Sequence, residues 1–372
     1  MNRPSEVLVG VCAVVAALLF PAATANAQVT PAAGNVPPDD TPSVRVGVTI
    51  FADYTVQTRP KGTDVDGNEI TPNSFNISRA YLNVTGQINH IVQFRVTPDI
   101  VRETGAGSSL SGSYTYRLKY AYAQFNLDDW MARGSFARFG MQQTPWIDFI
   151  DSVYRYRFQG PTLEDREGIL SSSDVGASFR YNFNNNYGDV HTGFYNGDNY
   201  NRAEANDQKA WMTRATVRPL PSNPMLRGLR VTGFFNLDAY VKDGEKQRGI
   251  IGVTYEHPYF NTGFNYLDTT DQLSGAAPSL GGNGYSAWVT PKTAKGYGWE
   301  GLLRFDHLEQ EQATSVVNGE RNRTIAGVAY WFPRQGSVSS ALLFDYEQVD
   351  NDNYAPVRAD ERRWALHALV QF

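Results

Sequence analysis

From residue 44 to residue 372 the sequence repeats one pattern: about ten residues in which every second side chain is apolar, then a polar connection. Val44, Val46, Val48, Ile50, Ala52 and Tyr54 share one face, and Arg45, Thr49 and Asp53 the other. Tyr116, Leu118, Tyr120 and Tyr122 alternate with Arg117, Lys119 and Ala121, and Trp211, Ala215 and Val217 with Arg214 and Thr216. Successive side chains of a strand point to opposite faces, so the period of two means strands with one apolar and one polar face. A soluble sandwich also alternates, but its strands usually run to about five or six residues. Here the polar face carries Arg and Lys in mid-strand, and the apolar face gathers Tyr, Phe and Trp near strand ends, as an interfacial girdle requires. The pattern predicts an all-β fold, a transmembrane antiparallel β-barrel.

Sixteen strands are expected, at 44–55, 75–86, 90–97, 114–125, 132–141, 174–183, 188–196, 209–218, 229–240, 248–257, 259–267, 284–290, 296–308, 322–332, 339–349 and 362–372. Short turns alternate with long connections, the organisation of an outer-membrane barrel, with 219–228 a longer turn on the short side. Lys61 and Arg321 fall in expected outer loops.

Ahead of the barrel, residues 7–20 are unbroken apolar, Pro21 breaks the run, and Ala25-Asn26-Ala27 has the small-x-small pattern of a cleavage site. This gives an expected signal peptide at 1–27, a Pro-, Ala- and Asp-rich flexible leader at 28–43 and the barrel at 44–372. The single cysteine, Cys12, lies in the first segment, so no disulfide is expected in the barrel. Export and a membrane barrel together point to the bacterial outer membrane, with its lipid as the first partner. The last strand places Trp364, Leu366, Ala368, Val370 and Phe372 on one face, which looks like the signal read by the outer-membrane assembly machinery. A net charge of −5 excludes a generally basic nucleic-acid binder, and 20 Phe with 21 Tyr exclude a solvating, disordered chain.

If the apolar face meets lipid, the polar face lines the lumen, because arginine in hydrocarbon costs several kcal/mol. The inward bases are then Arg45, Arg79, Arg95, Arg117, Lys119, Arg138, Arg180, Arg214, Arg218, Arg230, Arg304 and Arg363; the inward acids are Asp53, Asp238, Glu256, Glu300, Asp306, Asp345 and Glu347. This basic surplus opposes the sign of the whole chain, and such a wall favours anions in a pore. Arg79, Arg95, Arg117 and Lys119 are expected to form one basic band. The longest connection, 142–173, carries Pro145-Trp146-Ile147-Asp148-Phe149 and Tyr154-Arg155-Tyr156-Arg157-Phe158. An aromatic loop of this kind is costly to leave in solvent. Folded into the lumen, it narrows the pore and sets Tyr154, Arg155 and Arg157 at the constriction.

Asn76-Ile77-Ser78-Arg79-Ala80-Tyr81-Leu82-Asn83-Val84-Thr85-Gly86, with Phe94-Arg95-Val96-Thr97-Pro98-Asp99, resembles the early hairpin of phosphate-selective porins of the O and P type. Phe139-Gly140-Met141-Gln142-Gln143-Thr144-Pro145-Trp146 and Asp174-Val175-Gly176-Ala177-Ser178 add to the likeness. The resemblance implies sixteen-stranded homotrimers that pass small anionic solutes, phosphate among them. The chain departs from the pattern in lacking a cluster of lysines and in placing Glu256, Glu300 and Asp306 inside.

Two other classes compete. A general porin for sugars and small solutes would use Tyr154, Tyr156 and Phe158 as a stacking path. An outer-membrane lipase would need a Ser–His pair, with His307 and His367 as candidates. His90, His191, His257, His307 and His367 show no metal-binding spacing, and no nucleophile elbow occurs, so neither an enzyme nor a metal or cofactor is expected.

Overall fold

The computed structural model describes residues 40–372 apart from Ala106. The expected signal peptide, and residues 28–39 of the expected leader, lie outside the described residues. Sixteen antiparallel strands close into one barrel. They are β1 (Ser43–Arg59), β2 (Asn73–Gln87), β3 (Val92–Arg102), β4 (Tyr114–Asn126), β5 (Phe136–Gln143), β6 (Ser173–Asn182), β7 (Gly188–Tyr195) and β8 (Ala210–Val217). The second half comprises β9 (Leu229–Asp238), β10 (Lys246–His257), β11 (Phe260–Asp271), β12 (Leu280–Pro291), β13 (Gly298–Gln312), β14 (Ser315–Trp331), β15 (Ser339–Asp352) and β16 (Glu361–Gln371).

Each strand pairs with its sequence neighbours, and β16 returns to β1 with Ile50 opposite Val370 and Tyr54 opposite Leu366. Val48 and Phe372 exchange backbone hydrogen bonds of 3.1 and 3.0 Å at the seam. Closure leaves no strand edge unpaired, as a bilayer demands. The outer surface is apolar, with Val46, Leu118, Phe139, Ile251, Leu303 and Leu366 all exposed. Aromatic pairs such as Tyr54–Phe75 (4.5 Å), Trp211–Phe235 (5.1 Å) and Trp299–Tyr330 (5.1 Å) stand toward the strand ends.

Two departures from simple alternation matter for the interior. Pro98 lies within β3, where it has no N–H to give the ladder. There the pairing slips: Thr97 faces Tyr120 but Pro98 faces Leu118, leaving Lys119 as an extra residue. A bulge of one residue moves the following side chains to the other face. Tyr120 and Tyr122, expected on the lipid face with Tyr116 and Leu118, therefore point inward, where Arg95 and Arg138 stack on them at 4.5 and 4.7 Å. The second departure is length. β3 runs on to Arg102, and β13 and β14 pair out to Gln312 and Ser315, so Arg321 is a strand residue and not a loop one. Beyond the bilayer both faces of a strand are wet, so pairing continues where the apolar alternation stops.

Residues 144–172 fold into the barrel and carry two helices, α1 (Pro145–Tyr154) and α2 (Leu163–Arg166). Pro145 opens α1, where its fixed φ suits a first helical turn and its missing N–H costs nothing. Trp146, Ile147, Ile150, Tyr154, Tyr156, Phe158 and Leu163 are each at most 2% exposed. They pack on inward apolar residues of the wall, including Phe234, Ile250, Leu267, Trp288, Leu302 and Trp331. The hydrophobic core therefore lies between this loop and one side of the barrel. Gly252 on β10 gives Trp146 its space: a Cβ there would meet the indole at 3.2 Å. Gly252→Val should cost about 1–3 kcal/mol through overpacking, seen as a lower denaturation temperature of the folded barrel in detergent.

Candidate functional site

The inner loop lies mainly against β8 to β15, with Phe158 also packed on Phe51 of β1 at 6.4 Å. Arg214 donates to the Pro145 carbonyl (3.1 Å), Asn265 to Glu164 (2.7 Å), and Arg304 to the Pro161 carbonyl (2.8 Å). Glu347 receives Gln159 (2.9 Å), Arg166 (2.9 Å) and Arg363 (2.6 Å). Arg321 and Arg323 reach Glu167 at 2.7 and 3.0 Å. Glu164 is wholly buried in the loop, and that burial pushes its carboxyl up to about 7.

The bases expected along the pore fall into three groups. Beneath the loop, Arg214 pairs with Asp189, Arg230 with Glu256, and Arg304 with Asp306. Arg180 shares Asp189 at 3.2 Å. These charges are matched where they stand. In the second group, Arg79 and Arg117 both reach the fully buried Asp99, at 3.4 and 3.3 Å. Lys119 is buried, donates to Ser172 Oγ at 3.1 Å and stands over the rings of Tyr81 and Tyr200. The third group is Arg95 and Arg138, joined by Arg45. Arg95 donates to Thr97 (2.9 Å) and Asn83 (2.8 Å); Arg138 donates to Gln124 (2.8 Å) and Gln143 (3.2 Å). Their partners are neutral. The expected band of Arg79, Arg95, Arg117 and Lys119 is thus divided in its ion pairing, Arg79 and Arg117 sharing Asp99, while Arg95 and Lys119 share the ring of Tyr120 at 4.5 and 5.8 Å.

Arg45, Arg95, Arg138 and Arg180 line one cavity of about 250 Å³, with Asp148 of α1 as its single carboxylate. Among the described residues no carboxylate makes an ion pair with Arg45, Arg95 or Arg138. Of the loop residues expected at a constriction, Tyr154 is 1% exposed and packs edge-on against Trp288 at 5.3 Å. Arg155 stacks on Trp331 at 4.5 Å, 3.7 Å from Glu300. Arg157 is held between Asp151 (2.9 Å) and Asp165 (2.5 Å).

Several interior residues escaped the sequence reading. Asp99 fell in an expected loop because Pro98 reads as a strand end. Asp189 stands at the first positions of β7, and Arg248, at the margin of its expected strand, donates to the Ile169 carbonyl (3.1 Å) and Asp271 (2.7 Å). A usable signal was present. Ile250, Leu302 and Leu343 put apolar side chains on the inward face, which only a covering loop explains.

The histidines are dispersed. His307 contacts Asn322 (2.8 Å), and His367 faces Asp345 at 3.4 Å. Ser178 donates to Gln142 (2.6 Å) and lies 3.2 Å from His191. At the rim, His90 bridges Asp40 (2.5 Å) and Asp129 (2.9 Å), and these carboxylates raise its pKa.

No protein-family model matches the sequence, and no curated protein does. The fold does have close company. An anion-selective porin from Comamonas acidovorans superposes with a TM-score of 0.60 at 12% identity, over 89% of this chain and 100% of that one. The outer membrane channel DcaP of Acinetobacter baumannii gives 0.59 at 11%, over 89% and 97%. The trimer form of OmpT, an outer membrane protein of Vibrio cholerae, gives 0.55 at 12%, over 90% and 100%. The shared feature is the porin fold. A closed sixteen-strand barrel of this fold, apolar on its outside, is a multi-pass protein of the bacterial outer membrane.

Proposed function

We propose that the chain is an outer-membrane porin through which small solutes diffuse passively, with anions favoured. The observation that carries this reading is the contrast between the two sides of the interior. Where the loop covers the wall, Arg214, Arg230 and Arg304 are matched by carboxylates. Where the wall borders open space, Arg45, Arg95 and Arg138 are held by neutral groups or none, against Asp148 alone. Uncompensated guanidiniums in a narrow, poorly screened lumen attract anions and repel cations. The likeness of the 76–86 and 94–99 segments to phosphate-selective porins supports the same sign, with phosphate among the candidate solutes. A homotrimer is part of the proposal, supported by the trimer form of a structural neighbour.

The general-porin reading has one observation in its favour. Asp99 offsets one of the two charges of Arg79 and Arg117 beside the rings of Tyr81 and Tyr200, which makes that stretch aromatic and less basic than free arginines would leave it. Reversal potentials across a potassium chloride gradient separate the two. The native protein should favour chloride, and glutamine at Arg45, Arg95 and Arg138 together should move the reversal potential toward the potassium side. Lys61, exposed in an outer loop and bonded to Thr71 at 2.7 Å, is the control, since salt screens such a charge over about 10 Å. Equal permeability to both ions in the native protein would leave the general porin as the better account.

A further inference from the structure

We propose that the outer loop 196–209 is a lid on the basic stretch of β4, and that its Tyr200 sets how much of that charge a passing solute can touch. This rests on the channel reading above and deepens it, by naming the residue that governs access to one group of bases inside the passage.

The stretch beneath the loop is short of acid. Arg79 and Arg117 share Asp99, and Lys119 shares the ring of Tyr200 with Arg117, so three bases meet one carboxylate. Lys119 is 2% exposed, and among the described residues no carboxylate pairs with it. It donates to Ser172 Oγ at 3.1 Å, and the rings of Tyr81, Tyr120 and Tyr200 stand around its ammonium at 5.3, 5.8 and 5.2 Å. Burying an ammonium without a counter-charge is costly. Ring faces offset part of that cost, because their quadrupoles attract cations. Tyr81 and Tyr120 belong to the wall, on β2 and β4; Tyr200 does not.

The loop brings Tyr200 there from a distance. Just past the end of β7, Gly197 is fixed at both backbone groups: its N–H donates to Asp174 (2.8 Å) and its carbonyl accepts from Lys246 (2.7 Å). Farther along, the Asn206 side chain donates to the Ala239 carbonyl (3.0 Å). Between these anchors Tyr200 reaches β4, three strands round the barrel from β7 and so about 14 Å away along the wall. Its ring lies 4.8 Å from the Arg117 guanidinium, and among the described residues its hydroxyl makes no hydrogen bond. The ring is held over the bases by their attraction for its face, and lifting it strands no polar group of its own. With the ring down, a solute meets an aromatic surface. With it lifted, an anion meets an ammonium that has no counter-charge, while a neutral solute gains nothing.

Acetylation by sulfosuccinimidyl acetate, followed residue by residue by mass spectrometry on the purified full chain in detergent, tests the cover directly. Native Lys119 should react about tenfold more slowly than the exposed Lys61. Tyr200→Ala should remove most of that protection, and Tyr200→Phe, which keeps the ring, should retain it. Lys292, bonded to Asn261 at 2.8 Å on the opposite side of the barrel, should keep its native rate in both variants, which separates uncovering from unfolding. In planar bilayers Tyr200→Ala should raise the permeability ratio of chloride over potassium about twofold, and Tyr200→Phe should leave it unchanged. Lys119 as well protected in Tyr200→Ala as in the native chain would overturn the lid, and so would a permeability ratio indifferent to the loss of the ring. A native protein that passes no current would overturn the channel reading instead, with the acetylation rates still deciding whether the loop covers Lys119.

Discussion

Replacing Glu347 by glutamine should unseat the inner loop. Its carboxylate receives Arg166 and Gln159 from the loop at 2.9 Å, Arg363 from β16 at 2.6 Å and Arg323 from β14 at 3.3 Å. The side chain is 5% exposed, so its partners have little water to turn to. Removing one charge from a buried cluster strands the others, at a cost of about 3–5 kcal/mol. Part of that cost falls on the whole barrel and part on the seating of the loop. Glu347→Gln should therefore lower the unfolding midpoint in detergent, and also give a larger and noisier single-channel conductance. Removing Arg363 as well should restore part of the stability, because one orphaned cation goes with the missing anion. A variant with native stability and native conductance would show that the apolar packing of Trp146, Tyr156 and Phe158 holds the loop unaided.

Charge on the outer face should be nearly as damaging. Leu118→Arg or Phe94→Arg puts a guanidinium against hydrocarbon, at a cost of about 2–4 kcal/mol near the midplane. The fitting control is Asn76→Lys, since Asn76 faces inward and donates to Asp53 at 3.1 Å. Thr216, an inward residue by the same alternation, is no such control: it is buried, bonded to Arg214, and 3.0 Å from Thr232. Reversible folding into lipid vesicles under urea measures the difference. Equal tolerance at Leu118 and Asn76 would reverse the assignment of inside and outside.

How far the fold was legible follows from what a strand writes into its sequence. Each of the sixteen strands declares itself by alternation wherever one side meets lipid, as in β1 and β16. Where both sides are wet the signal vanishes, which hid the outer reach of β13 and β14 and with it the strand position of Arg321. The loop was legible from its own aromatic residues, but its resting place was written on the other partner, in Ile250, Leu302 and Leu343. The polar interior was least legible. That Arg79 and Arg117 share Asp99, while Arg95 next to them has no carboxylate, depends on pairing across strands, and alternation within a strand carries no information about its neighbour. A proline in mid-strand was the one local hint, and it reads equally well as an ending.

The extra residue on β4 gives the chain a property of counting as well as of composition. Upstream of Lys119 the tyrosines face the membrane; downstream they face the passage. Deleting Lys119 would close the bulge, setting Leu118 and Tyr120 side by side opposite Pro98 and Thr97 with every flanking aromatic residue kept on its present face, whereas deleting a residue elsewhere on β4 would leave the bulge in place and reverse one half of the strand. The first change removes only Lys119 and its bond to Ser172; the second removes a platform for arginine or an anchor in the bilayer. A change of length by one residue is thus mild for β4 at the bulge and severe anywhere else along the strand.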